Sequence, residues 1–265
     1  MRAMPFALAL CTTAAFAQMG RTEAPAPSER SFTFGGQVYG PTLTGHFQGV
    51  QNGQPIAVDL DSDLGLGKDK TTPGFFFDYQ GPRFAFQASS GSAEYRGDRT
   101  LTRNITIDGT TYSAADHVQS RLKLATVEGT WTIKFLRAQD AWLGLDLGVQ
   151  AWKVDLDVND VPPAPLPATA SSTSISAPIP QIGLSGGSRG FDGILESKAY
   201  VHYLGYKGAK YTLLGLDVRV FPVKWLGVRA FYEGSTFDVP KGSVKDDLEL
   251  RLERKGGGFG VVVRF

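Results

Sequence analysis

The sequence predicts an all-β fold, an antiparallel transmembrane β-barrel of about ten strands, for which eight or twelve strands are alternatives. Apolar residues recur at every second position over most of the chain, and the connections between these segments are alternately short and long. Glycine is abundant, with 32 among 265 residues. After the N-terminal segment, no apolar run reaches the length of about 18 residues that a membrane-spanning helix needs. We therefore expect strands to cross the membrane.

The N-terminal segment predicts a secretory signal peptide over residues 1–17. Arg2 precedes a mostly apolar stretch, and Ala15 and Ala17 form a small-x-small cleavage site. Cys11 lies inside the apolar stretch, which argues against a lipoprotein signal. Cleavage after Ala17 would leave no cysteine, so we expect no disulfide to stabilise the mature protein.

Ten segments with period-two patterning follow. Transmembrane barrels have short periplasmic turns and longer external loops, and an even strand count brings both chain ends to one side. The predicted strands lie near 31–48, 72–80, 83–97, 117–136, 140–157, 173–187, 191–205, 209–221, 224–238 and 244–265. Tight connections lie near 80–82, 137–139, 187–190 and 222–223, and longer ones near 49–71, 98–116 and 158–172, with shorter external ones near 206–208 and 239–243.

The two faces of these segments differ in polarity. Leu214, Leu216 and Val218 alternate with Asp217 and Arg219. A soluble sandwich can also show such alternation, but aromatic residues collect near the strand ends, as in the interfacial belts of membrane barrels. These aromatic residues are Phe75, Phe77, Tyr79, Trp131, Phe135, Trp142, Phe221, Trp225 and Phe265.

The charged residues of the polar faces are expected to point into a narrow lumen and to pair there. They number seven basic and eight acidic residues when Arg264 is included. A selective pore would more naturally show one sign of charge, so we expect a charge-filled lumen. The predicted lumen charges are Asp78, Arg83, Glu128, Lys134, Asp146, Glu196, Lys198, Asp217, Arg219, Arg229, Glu233, Glu249, Arg251 and Glu253.

Two strands change the phase of their apolar pattern midway. Apolar residues occupy even positions up to Leu124 but odd positions from Ala125, and the next strand changes phase between Val149 and Val154. Either a β-bulge shifts the register, or the strand leaves the bilayer and continues as an external ribbon. The glycines at 256–258 mark a similar break, for which a kink, a bulge and a close inward contact are the alternatives.

Several segments carry a resemblance to a known group. The last strand alternates apolar residues at Phe259, Val261, Val263 and Phe265. Together with residues 58–66 (VDLDSDLGL), 103–107 (RNITI) and 176–183 (SAPIPQIG), it resembles small uncharacterised outer-membrane β-barrel proteins of Gram-negative bacteria.

This resemblance implies a location in the cell outer membrane and a last strand that serves as an assembly signal for the barrel-insertion machinery. It supplies no catalytic residues. Residues 18–30 are then a flexible periplasmic lead-in, and 31–265 form the barrel. Outer-membrane lipid and lipopolysaccharide are the expected partners of a monomer, and a net charge of +1 gives no support for a nucleic-acid partner.

Each candidate chemical motif lacks a residue that its chemistry requires. Asp59, Asp61 and Asp63 resemble the start of an EF-hand loop, but Leu64 stands where the loop needs glycine. His202 shares a face with acidic and basic residues without a serine at the spacing that a hydroxyl nucleophile would require. We therefore predict no catalytic, cofactor-binding or metal-binding residues and no cofactor.

The sequence favours a structural or surface-recognition role, carried by the long external loops. A small diffusion channel and an outer-membrane enzyme acting on lipid or peptide remain alternatives.

Overall fold

The computed structural model describes residues 30–51, 54–66, 71–107, 110–161, 170–206, 208–239 and 249–265. The predicted signal peptide, and the lead-in up to residue 29, lie outside these ranges. Within them no helix is long and apolar enough to cross a membrane. The strands are β1 (Ser31–Gln51), β2 (Gln54–Asp59), β3 (Thr72–Gln80), β4 (Phe84–Thr100), β5 (Ile105–Ile107), β6 (Thr110–Tyr112), β7 (His117–Arg137), β8 (Ala141–Asp160), β9 (Ala170–Gly190), β10 (Leu195–Tyr206), β11 (Ala209–Val223), β12 (Leu226–Val239) and β13 (Leu250–Arg264).

Ten of these strands form a closed antiparallel ring in the order β1, β3, β4, β7, β8, β9, β10, β11, β12 and β13. The ring closes where β13 pairs with β1, from Thr33 opposite Arg264 to Phe47 opposite Leu250. A closed ring leaves no strand edge unpaired, which is why such a sheet can lie in lipid. The prediction of an antiparallel barrel of about ten strands is confirmed.

The two ends of the barrel differ. Connections of a few residues join β3 to β4, β7 to β8, β9 to β10 and β11 to β12. The start of β1 and the end of β13 also lie on this side, the short-turn end. The connections β1–β3, β4–β7, β8–β9 and β12–β13 lie at the opposite, long-loop end, together with the short connection between β10 and β11. The tight turn predicted near 187–190 is misplaced, because β9 continues to Gly190 and a 3-10 turn over Phe191–Gly193 delays the start of β10 to Leu195.

The apolar pattern changes phase because the surroundings of the strand change. In β7 the even-numbered residues face inward throughout: Leu122 and Leu124 are buried near the long-loop end, and Thr130 and Thr132 are buried further down. The pairing of β7 with β8 is continuous from Val118 to Lys134, so a bulge is not the cause. The alternation of inward and outward positions is therefore unbroken along β7. The apolar residues occupy the outward positions near the short-turn end and the inward positions near the long-loop end, in agreement with a strand that leaves the bilayer.

Strand length supports this explanation. A transmembrane strand needs about 9–11 residues, whereas β1, β7 and β9 each have 21 residues. The surplus lies at the long-loop end and forms a projecting part of the barrel, which we call the crown. There β2 extends the sheet beside β1, and β5 and β6 form a separate hairpin. In the crown the inner faces of the strands are apolar and the outer faces are polar.

The glycines at 256–258 make a close inward contact instead of a kink or a bulge. The pairings of β13 with β1 and β12 pass through them without a register shift. Gly258 faces inward, and a β-carbon there would lie 2.4 Å from a ring carbon of Phe231. Glycine is therefore needed at this position because the ring of Phe231 occupies the space beside the backbone.

Candidate functional site

The interior near the short-turn end contains a network of buried ion pairs. Arg219 donates to Asp78 at 2.7 Å and to Asp217 at 3.0 Å. The same Asp217 carboxylate accepts from Nε of Arg229 at 2.9 Å. All four residues are at most 4 % exposed. Buried charges need such multiple pairing, because each would otherwise lose its hydration without compensation.

A second group of charges lies still closer to the short-turn end of the barrel. Glu196 accepts from Arg189 at 2.8 Å and from Arg264 at 2.9 Å. Lys134 donates to Oε1 of Gln80 and to the carbonyl of Gly81, each at 2.9 Å. This group therefore connects β3, β7, β9, β10 and β13 at one level of the barrel.

A histidine network lies deeper in the interior. His202 contacts Asp146 through Nε2 at 2.9 Å and Gln181 through Nδ1 at 3.0 Å. The Asp146 carboxylate also accepts from the hydroxyls of Thr132 at 2.6 Å and Ser185 at 2.8 Å. Both hydroxyls donate to Asp146 instead of to the histidine, so the group is arranged as a structural network and not as a nucleophile activated by histidine.

The middle of the interior combines carboxylates with aromatic residues. Glu233 accepts from the hydroxyl of Tyr200, and Glu128 accepts from the amide of Gln181 at 3.1 Å. Arg254 lies over the ring of Trp152, with its guanidinium carbon 5.0 Å from the centroid. The predicted lumen charges did not include Arg254, although Arg254 and Leu252 lie two positions apart in one strand and therefore share a face.

Four predicted lumen charges do not point inward. Arg83 is exposed in the turn before β4. In β13 the even-numbered residues face inward, so Leu252 and Arg254 are buried, while Arg251 pairs with Glu253 at 3.0 Å on the outer face. Glu249 likewise belongs to the outer face, where it lies 3.9 Å from His46. The prediction assumed lipid outside this segment, but it lies in the crown, where the outer face meets water.

Two aromatic residues assigned to the belt also lie elsewhere. Phe221 is 1 % exposed and faces inward, with Arg264 stacked 3.8 Å above its ring. Trp142 lies on the inner face against the ammonium of Lys134. Other aromatic residues form an exposed outer band, which includes Phe75 at 71 %, Phe135 at 56 % and Trp225 at 58 % exposure.

The last strand presents its apolar residues outward. Phe259, Val261 and Phe265 are 70 %, 56 % and 72 % exposed. Val263, in the same phase, is half-buried. The ring of Phe265 stacks on that of Phe34 at a centroid distance of 5.7 Å, across the seam that closes the barrel.

A continuous apolar core lies inside the crown. Its members come from the inner faces of the barrel strands and from the long connections folded over them. Tyr112 of the β5–β6 hairpin is fully buried there, and its hydroxyl donates to the carbonyl of Val158 at 2.9 Å. Burial raises the pKa of the Tyr112 hydroxyl. The core consists of Leu43, Val58, Leu60, Leu64, Leu66, Ala93, Tyr95, Leu101, Ile105, Ile107, Tyr112, Val118, Leu122, Leu124, Trp152, Val158, Ile179, Tyr200, Tyr211, Leu213 and Leu252.

The triple-aspartate segment forms a structural turn beside the outer end of β4, where Arg99 donates to the carbonyl of Asp61 at 2.7 Å. Oδ1 of Asp59 accepts from the backbone N–H groups of Asp61 and Ser62. Asp63 accepts from the guanidinium of Arg103, and this hydrogen bond raises the pKa of Arg103. The described residues contain no group of three or more His, Cys, Asp or Glu side chains that could hold a metal ion.

A histidine–aspartate pair stands on the outside of the crown. Nε2 of His117 lies 2.8 Å from Asp98, and Nδ1 lies 3.4 Å from the hydroxyl of Thr100. Asp116, the neighbour of His117 in the sequence, accepts from the backbone N–H of Ser113. The pair is solvent-exposed, with 45 % of the histidine side chain and 62 % of the aspartate side chain accessible.

Comparison with known proteins supports the fold. The outer-membrane protease OmpT of Escherichia coli aligns over 92 % of this chain and 99 % of its own, with a TM-score of 0.65 and 10 % identity. The transport unit of the autotransporter AIDA-I of Escherichia coli gives a TM-score of 0.41 at 11 % identity over 95 % of this chain and 96 % of its own, and Ail of Yersinia pestis gives 0.29 at 13 % over 89 % and 97 %. No family model and no curated protein sequence matches the chain. The chain has the fold of a Gram-negative outer-membrane β-barrel, and the exposed apolar band agrees with the predicted outer-membrane location.

Proposed function

We propose that this protein is a monomeric, non-conducting outer-membrane β-barrel with a structural or surface-recognition role. The observation that carries this proposal is the apolar core inside the crown, which lies above the buried ion pairs and the histidine network. An ion passing along the barrel axis would have to cross both the charge-paired region and a dry apolar region. Hydrophobic constrictions of this kind oppose ion passage.

The crown is the part that meets the cell exterior in this proposal. The described strands of the crown are supported from inside by the apolar core, so their outer faces form a continuous surface. Its outer side chains are polar: Ser172 and Ser174 donate to Asp157 and Asp155 on the neighbouring strand. A continuous polar surface of this kind suits recognition of a macromolecule outside the cell.

Lipopolysaccharide is the lipid partner that we propose. Just above the apolar band, Arg96, Lys123 and Lys153 are exposed on three neighbouring strands. They outnumber the acidic residues beside them, Glu94 and Asp155, and therefore give the band a cationic upper edge. Cations at this level suit the phosphate groups of lipid headgroups.

Single-channel recording in a planar bilayer tests the non-conducting barrel. The wild type should give no steady channels. A variant that lacks residues 102–115 should admit ions more readily, because it loses the β5–β6 hairpin. This deletion is feasible with a short linker, since the N–H of Leu101 donates to the carbonyl of Asp116 at 2.9 Å. A variant with Arg251 and Glu253 both changed to alanine serves as the control from the outer face. Large, steady wild-type channels would favour the diffusion channel instead.

An enzymatic role is the second candidate, because His117 and Asp98 form a close pair beside a hydroxyl. The fold is shared with a protein named an outer-membrane protease. Whole cells expressing the protein would be incubated with a fluorogenic peptide library. Cleavage that disappears in His117→Ala but persists in His46→Ala would establish this role, and absence of any cleavage would exclude a peptidase.

A further inference from the structure

A cavity of about 100 Å³ opens at the short-turn end of the barrel. Its walls come from β3, β7, β8, β9, β10 and β11, and they include Lys134, Trp142, Lys198 and Arg219. The paired Asp78, Arg219 and Asp217 stand at its inner wall, and the apolar core of the crown lies beyond them. The cavity is therefore a vestibule inside the ring of strands, reached from the water at this end.

The buried carboxylates around this vestibule are already paired with guanidinium groups. The three buried carboxylates nearest to it, Asp78, Glu196 and Asp217, are each bonded by guanidinium groups. Four guanidiniums serve these three carboxylates, namely those of Arg189, Arg219, Arg229 and Arg264. These three carboxylates are therefore paired before any lysine is considered, and Arg137 and Asp140 add one exposed charge of each sign to the lining.

Two ammonium groups add positive charge beside these ion pairs. Lys198 is 9 % exposed, and its ammonium donates to Oε1 of Gln87 at 2.7 Å. Lys134 donates to two neutral acceptors and lies 4.9 Å from the ring centre of Trp142. Among the described residues no carboxylate oxygen lies within 4.0 Å of either ammonium. The next carboxylate inward, Asp146, is already bonded by His202 and two hydroxyls.

The two lysines retain hydrogen-bonding capacity that faces the cavity. An ammonium has three N–H donors. Lys198 uses one on protein and Lys134 uses two, so three donors are left for a molecule in the vestibule. Buried donors and buried charge are both costly when nothing compensates for them. An acceptor that carries negative charge would satisfy both requirements at once.

We propose that this vestibule binds one small oxyanion, a phosphate or a carboxylate of similar size, between Lys134 and Lys198. The anion comes from the aqueous space at the short-turn end, because a lipid headgroup outside the barrel cannot reach a cavity inside the ring of strands. Arg219 gives the site a positive inner wall, while its own bonds to Asp78 and Asp217 hold it in place. The site is independent of whether the barrel conducts ions.

Isothermal titration with inorganic phosphate, and separately with acetate, tests the site. The detergent-folded wild type, kept in a gluconate buffer, should bind one anion per chain and saturate. Lys134→Met and Lys198→Met should each weaken binding at least tenfold, because each removes a charge and the donors that face the anion. Lys210→Met and Lys255→Met remove exposed lysines near the long-loop end and should leave binding unchanged.

A second measurement keeps the test decisive if Lys198→Met fails to fold. Phosphate should change the fluorescence emission of Trp142 in the wild type, and Trp142→Phe should lose that change while it still binds phosphate. Phosphate should also raise the melting temperature of the wild type relative to gluconate, because a ligand of the native state stabilises it. The proposal is overturned if phosphate and acetate do not saturate, or if they bind the lysine variants as tightly as the wild type.

Discussion

Arg229 illustrates how a single buried charge is held in this barrel. Its guanidinium donates to Asp217 and Gln37 and lies between the rings of Phe76 and Phe231, with 4.4 Å from its carbon to each ring centre. Phe231 can occupy this place only because Gly258 has no side chain. Thus a glycine of β13 determines the position of an arginine of β12 through one aromatic ring.

Arg229→Ala should destabilise the barrel by about 3–5 kcal/mol, because it removes one partner of a buried ion pair and both ring contacts. The matched control is Arg251→Ala, which breaks an exposed pair with Glu253 and should cost about 0–1 kcal/mol. Denaturant unfolding in detergent, followed by circular dichroism, would measure both variants. Equal stability of the two variants would contradict the role of the buried network.

Gly258→Ala should lower stability by about 1–3 kcal/mol, because an added β-carbon overpacks the space that Phe231 occupies. Gly257→Ala is the control from the next position, where the nearest atom to an added β-carbon is 3.5 Å away. Thermal unfolding of the two variants should therefore differ, although both make the same chemical change. Identical melting temperatures would show that Phe231 can move aside without cost.

At the residue scale, the sequence predicted correctly which side chains face inward only where the outside of the barrel is apolar. The structure places Asp217, Arg219 and Arg229 inside, as period-two reading implied. The same rule placed Arg251 and Glu253 inside although they lie on the outer face, because it took the apolar residues of β13 to face outward along the whole strand. In β7 a phase change marks where the strand leaves the membrane, but in β13 the glycines at 256–258 interrupt the apolar pattern at that point. The bond between His202 and Asp146 joins residues 56 positions apart, so it depended on the strand order across the ring.

At the element scale, strand positions were the most predictable feature. The strand predicted over residues 72–80 has those bounds, since alternating side chains and flanking turn residues mark it at both ends. The start of β10 was predicted too early because Phe191 and Asp192 adopt positive φ angles of 54° and 55°, which residue type alone did not indicate. Local pattern thus determines the strands, while unusual turns depend on contacts beyond the local sequence.

Replacing Phe265 with aspartate should reduce the amount of protein that reaches the outer membrane. Phe265 ends the closing strand, bonds to the backbone of Phe32 in both directions and stacks on Phe34. A charge there would disturb both the seam and the terminal apolar face. Phe191→Asp changes an equally exposed phenylalanine at the same end of the barrel, outside the last strand, and should assemble normally. Membrane fractionation with immunoblotting measures both variants, and unchanged levels of Phe265→Asp would make the C-terminus an ordinary strand end.

At the scale of the whole molecule, the barrel is two structures stacked along one axis. In the lower part the outer face is apolar and the inner face is polar and charged. In the crown this arrangement is reversed, so that β7 and β8 carry an apolar inner face and a polar outer face. The strand pairings pass from one part to the other without a change of register, since the shifts between Lys134 and Leu136 and between Val220 and Val223 lie near the short-turn end. The boundary is set by the medium outside. This reversal explains why the composition of the chain resembles that of a soluble β protein although its fold is that of a membrane barrel.

The four tryptophans test this two-part arrangement, because they sample different levels and faces of the barrel. Trp131 is 48 % exposed on the outer face among apolar neighbours, whereas Trp152 is 5 % exposed in the core of the crown. In single-tryptophan variants reconstituted into bilayers with brominated acyl chains, Trp131 emission should be strongly quenched, since bromine quenches only at contact range. Trp152 emission should be nearly unaffected by bromine at any depth of the chain. Strong quenching of Trp152, or protection of Trp131, would mean that the membrane does not surround the barrel at the level of the apolar band.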